Sequence, residues 1–200
     1  MLKQVALIAL LGMSASAMAG QWQVKVGASS LAPTEDQNVL ANGAFTNVEA
    51  SQEYGFTPSV EYFFNDNFSA ELLLATPFEH DVTSNGTKIA SFKHLPPTIT
   101  AKYNFKNSTG FTPYVGVGAT VVIPWDEEIV IDGAKLNADV GYGVAGQVGF
   151  NFQPADAKNW GVFADVRYAD VKSELELNGN AIGDLEVNPW VYTLGYSYKF

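Results

Sequence analysis

The chain has 200 residues, 47% apolar and 16% charged, which is a one-domain length with too much apolar content for charge-driven disorder. Eleven basic against 21 acidic residues give a net charge of −10, the wrong sign for neutralising phosphates, so nucleic acid is excluded as a partner. The absence of cysteine removes disulfides, thiolate catalysis and cysteine zinc sites, while 13% aromatics and 18 glycines suit strands and tight turns.

The start of the chain reads as an export signal. Lys3 precedes an unbroken apolar run from Val5 to Leu11, and small residues then close on Ala17-Met18-Ala19, an A-x-A cleavage site. The run is far short of the roughly 20 residues a spanning helix needs. Residues 1–19 are therefore expected to be a signal peptide and 20–200 a single domain. Without Lys3, the mature chain carries ten basic and 21 acidic residues, a charge of −11.

Beyond this segment the pattern has a period of two. It is plainest at the end, where Trp190, Tyr192, Leu194, Tyr196, Tyr198 and Phe200 alternate with Val191, Thr193, Gly195, Ser197 and Lys199. The same alternation predicts eight strands, near 22–31, 54–64, 68–76, 94–105, 111–124, 137–152, 160–172 and 188–200. Short turns rich in Asn, Gly, Asp and Pro at 65–67, 106–110 and 153–159 take turns with long loops at 32–53, 77–93, 125–136 and 173–187. Strict alternation of short and long connections is the arrangement of an all-β, eight-stranded antiparallel up-and-down transmembrane barrel, with the long loops outside the cell.

Alternation alone does not say which face is outward. A lipocalin-like barrel also has eight strands, with its apolar face inside, and Gly20-Gln21-Trp22 matches the G-x-W of that class. Against it, the apolar set holds too many aromatics for an interior that eight strands nearly fill. These aromatics also fall into two belts, Trp22, Phe64, Phe68, Phe105, Phe111, Phe152, Trp160 and Phe200 at one end and Phe56, Trp125, Tyr142, Tyr168 and Trp190 at the other. The apolar face is expected outside, against lipid.

Several segments carry a family resemblance. The stretch Leu73-Leu74-Ala75-Thr76-Pro77-Phe78-Glu79-His80, then His94-Leu95-Pro96-Pro97-Thr98, Pro113 to Gly118, Ala145 to Gly149, Pro189-Trp190-Val191 and the closing Gly195 to Phe200 resemble the OmpW family, in order over the whole mature chain. The resemblance implies a Gram-negative outer-membrane barrel thought to admit small hydrophobic molecules. It also implies that the terminal strand ending in Phe200 is read by the outer-membrane assembly machinery.

The lumen face divides by depth. Its lower half carries Lys25, Glu61, Glu71, Lys102, Asp165 and Lys199, with Arg167 higher, and such mixed charges predict a paired plug that fills a narrow barrel. Its outer half, including Leu73, Ala75, Pro96, Val122, Ala169 and Val191, is small or apolar and could hold an apolar solute. Pro96-Pro97 removes ladder donors on both sides of its strand, with Pro77 nearby on the neighbouring one. These three prolines mark either a plain strand end or a lateral gap through which a bound molecule could leave into the bilayer.

His80 and His94 are the only histidines, and with no evident third ligand they read as hydrogen-bonding rim residues rather than a metal site. No catalytic motif or cofactor-binding loop stands out. Fourteen of the 21 acids fall in the long loops, among them Glu35, Asp36, Glu79, Asp81, Asp132, Asp184 and Glu186, where cations could bridge them to lipopolysaccharide. Two functions are in contention. One is passage of small hydrophobic solutes with lateral release; the other is a non-transporting wall or surface receptor whose acidic loops bind partners or phage.

Overall fold

A computed structural model of the chain describes residues 21–34, 48–129 and 135–200. The expected signal peptide and the acids Glu35, Asp36 and Asp132 lie outside the described residues. In chain order the strands are β1 (Trp22–Ala32), β2 (Val48–Ala50), β3 (Glu53–Phe63), β4 (Phe68–Leu73), β5 (Phe78–Ser84), β6 (Thr87–Leu95) and β7 (Thr98–Asn104). They continue with β8 (Phe111–Ile129), β9 (Leu136–Ala138), β10 (Gly141–Phe152), β11 (Trp160–Leu177), β12 (Asn180–Val187) and β13 (Trp190–Lys199).

Eight of these pair antiparallel in the cyclic order β1, β3, β4, β7, β8, β10, β11, β13, and β13 returns to β1. The predicted eight-stranded barrel is therefore present, closed and without a free edge in its wall. Its apolar face is the outer one. Val117, Leu194 and Tyr196 are 68%, 66% and 70% exposed, whereas Lys25, Glu61, Glu71 and Lys102 are at most 2% exposed. A lipocalin-like arrangement would have these reversed. Ring contacts such as Trp22–Tyr62, Phe68–Tyr103 and Tyr198–Phe200 build the lower belt, and Tyr168–Trp190 contributes to the upper one.

Above the upper belt the loops expected at 77–93 and 173–187 are mostly strand. The first is the β5–β6 hairpin, turning on Asn85-Gly86, and the second extends β11 into β12, turning on Asn178-Gly179. Both turn residues in each pair have positive φ, between 49° and 77°, the backbone of a type I′ turn. These outer strands carry a small core of their own, Val82, Ala90, Phe92 and Leu175.

The strand expected over 94–105 is broken at Pro96-Pro97. Its two halves, β6 and β7, both stay on β8, where Leu95 faces Ile123, Thr98 faces Thr120 and Val121 N donates to Pro97 O at 3.0 Å. On the other side β4 pairs with β7 up to Leu73–Thr98, and pairing resumes only at Phe78–His94. Residues between keep to β3 instead, through Leu74 N to Pro58 O and Thr76 N to Phe56 O, both 2.8 Å. The wall is thus continuous on one side of the prolines and unladdered on the other.

Candidate functional site

The barrel's interior is divided across its middle by a network of buried charges. Six strands contribute Lys25 (β1), Glu61 (β3), Glu71 (β4), Lys102 (β7), Tyr114 (β8), and Asp165 with Arg167 (β11). Lys25 Nζ stands 2.6 Å from Glu61 and 3.0 Å from Glu71, and Lys102 Nζ 2.8 Å and 2.7 Å from the same two carboxylates. Arg167 Nη2 donates to Glu71 and, at 3.2 Å, to Asp165. Three positive and three negative groups balance. Such burial is tolerable only because each charge has partners and the remaining lone pairs are filled, as Glu61 Oε1 is by Ser69 Oγ at 2.5 Å.

Tyr114 completes this plug, a member outside the expected set of charges. It is fully buried, donates to Asp165 at 3.1 Å and lies under the Lys102 ammonium, 3.8 Å from the ring centroid. The signal was its place as the one large aromatic among Thr112, Gly116, Gly118 and Thr120 on a lumen row. Gly149 makes its room, since a Cβ there would stand 2.7 Å from the Tyr114 hydroxyl oxygen.

Lys199 is the member that does not join. Its side chain faces the lumen as expected, but it pairs in register with Gln23, one alternation below Lys25, and its ammonium lies 4.0 Å over the Phe63 ring. It lines a separate polar cavity at the lower mouth with Gln23 and Asn151. The plug therefore holds six of the seven predicted charges.

Above the plug opens the predicted apolar vestibule. Leu73, Ala75, Pro96, Val122, Ala169 and Val191 all line it, and Arg167 forms part of its floor. Leu31, Ala75 and Phe78 pack together on one wall, with Val191 against them. Pro77 and Pro97 are not among the lining residues; Pro77 is exposed at the unladdered stretch. Phe78, Phe92 and His94 reach the vestibule from the β5–β6 hairpin, most of which lies in the segment expected to be a long loop. A period of two was there to find them: Phe78, His80 and Val82 face in while Glu79 is exposed.

The two histidines stack at 5.0 Å and 11° near the mouth, among Phe78 and Phe92. His80 Nδ1 bonds Ser51 O at 2.7 Å, while His80 Nε2 and His94 Nδ1 are buried without partners. Burial, and then the neighbouring His80, push His94 down to about 3, and burial also lowers His80. Both imidazoles are neutral at ordinary pH. The flanking acids turn away to lysines, Glu79 to Lys93 and Asp81 to Lys88. Among the described residues no three ligating side chains gather as a metal site would need.

A closed eight-stranded barrel, apolar outside with two aromatic belts and crossed inside by buried ion pairs, is the architecture of a small outer-membrane protein. The OmpW family model matches residues 18–200, and the chain belongs to that family. It is 34% identical to outer membrane protein W of Vibrio cholerae, over 90% of this chain and 89% of that one. Its fold matches the crystal structure of OprG from Pseudomonas aeruginosa with a TM-score of 0.75 at 25% identity, covering 91% and 96% of the two chains. The solution structure of Escherichia coli outer membrane protein W matches with a TM-score of 0.62 at 30% identity, covering 92% and 100%. This is a multi-pass protein of the Gram-negative outer membrane, in a family of barrels rather than of enzymes.

Proposed function

We propose that the chain gives passage to small hydrophobic molecules, which enter the vestibule from outside and leave sideways into the bilayer. The observation that carries this reading is the pairing of an apolar, outward-opening chamber with a floor of buried charges. A greasy solute can enter such a chamber but finds desolvated ion pairs across the direct route to the periplasm. The unladdered stretch between residues 74–77 and Pro96-Pro97 supports a side exit at the level of the chamber. The outer leaflet beside that exit would be lipopolysaccharide, and the outward-facing Phe200 at the end of the last strand suits recognition by the assembly machinery.

Leu73 is buried on the chamber wall two residues above the plug carboxylate Glu71, and its full burial against a solute would contribute roughly 1.5–3 kcal/mol. Leu73→Asp should therefore slow uptake of an apolar solute into reconstituted vesicles while the barrel still folds, because the position does not face lipid. Cysteines at Ala75 and Pro96, introduced into this cysteine-free chain and cross-linked, should block uptake until reduced. Unchanged uptake in both would sink the proposal and leave the barrel as a wall or surface-receptor protein.

A further inference from the structure

The plug leaves one of its own donors unused. Arg167 commits Nε and Nη2 to Asp165 and Glu71, but its Nη1 is buried without any hydrogen-bond partner. The side chain is only 6% exposed, and the residue is part of the vestibule floor. Guanidinium does not escape the problem by losing its proton, so its spare N–H groups call for an acceptor. Its in-register neighbour Gln147 donates to Thr100 and keeps its own Oε1 buried and unpartnered, so it does not meet Nη1. Thr98 Oγ1 and Thr120 Oγ1 bond each other at 2.9 Å and reach the carbonyls of Pro96 and Pro97.

Charge balance narrows the acceptor. Three cations already face three carboxylates, so a carboxylate-bearing solute would bring a fourth negative group next to Glu71 and Asp165. A plain hydrocarbon would leave Nη1 as it is. An uncharged oxygen satisfies the donor without upsetting the balance.

We propose that the vestibule selects solutes with an apolar body and one uncharged terminal oxygen, a hydroxyl or a carbonyl, which accepts a hydrogen bond from Arg167 Nη1. This rests on the vestibule being the solute site. Arg167 is then the specificity-determining residue of the chamber as well as a member of the plug.

The test is a titration of the protein in phospholipid nanodiscs with decane, decan-1-ol, methyl nonanoate and decanoate at matched mole fractions in the lipid. Nuclear magnetic resonance would follow the Arg167 guanidinium and the amides of Val122 and Val191. An oxygen-bearing neutral probe should half-saturate these signals at a mole fraction about tenfold lower than decane or decanoate. Which of decan-1-ol and methyl nonanoate is preferred separates hydroxyl from carbonyl. In Arg167→Lys, and in the charge-neutral pair Arg167→Met with Asp165→Asn, alcohol and alkane should respond within about twofold of each other. Equal responses in the unmodified protein, or a preference that survives in both variants, would overturn the role of Arg167 while leaving the chamber a solute site. Silence of Val122 and Val191 towards all four probes would overturn both.

Discussion

Glu71 receives Lys25, Lys102 and Arg167 at once and is fully buried. Removing one partner of a buried ion network leaves the others uncompensated, at a cost of roughly 3–5 kcal/mol. Glu79, whose side chain is 60% exposed beside Lys93, can be lost for about 0–1 kcal/mol. Urea unfolding of Glu71→Ala and Glu79→Ala in lipid bilayers should show that contrast, and equal midpoints would mean that the plug does not stabilise the barrel. Tyr114→Phe should fall between them, since it keeps the ring under Lys102 and loses only the hydroxyl bond to Asp165, worth roughly 1.5–3 kcal/mol.

The β5–β6 hairpin places both histidines where protonation is costly. With His94 held near 3 and His80 also lowered, the unfolded hairpin binds protons more readily than the folded one below the ordinary histidine value of 6.5. Stability from this source is complete above about pH 6.5 and is lost as the pH falls towards 3. By pH 5 the loss from His94 amounts to about 2 kcal/mol. His94→Phe retains a ring beside Phe78 and removes the titration, so its unfolding midpoint should move less between pH 7 and pH 5 than that of the unmodified protein. The same fall in both would show that His94 is not the group responsible. The hairpin is also the main element that local pattern does not reveal. Asn85-Gly86 is a strong turn signal, but polar outward residues and a histidine diluted the alternation around it.

At the scale of the molecule, orientation in the membrane follows from the connections. Lys88 on the β5–β6 hairpin and Lys106 in a short turn are both exposed and lie at opposite ends of the barrel. A membrane-impermeant maleimide added to intact cells should label Lys88→Cys and spare Lys106→Cys until the cells are permeabilised. Labelling of Lys106→Cys in intact cells would reverse the topology.

Strand number, inward and outward parity and the sorting of lumen residues into charged and apolar halves were all legible, because each depends on a local period of two. Lys25, Glu61, Glu71, Lys102, Asp165 and Arg167 could be assigned to one face on that ground alone. Who pairs with whom could not, since Glu71 and Arg167 are 96 residues apart and meet only through barrel closure. Lys199 has the expected parity and lies towards the periplasmic end, but one alternation too low to join the plug, because the stagger between neighbouring strands sets height in the lumen and no single strand encodes it. The one-sided break at Pro96-Pro97 and the unpartnered Arg167 Nη1 were likewise decided by tertiary structure. The residue types state what hydrogen bonds a group needs, and only the folded neighbourhood determines which of them are met.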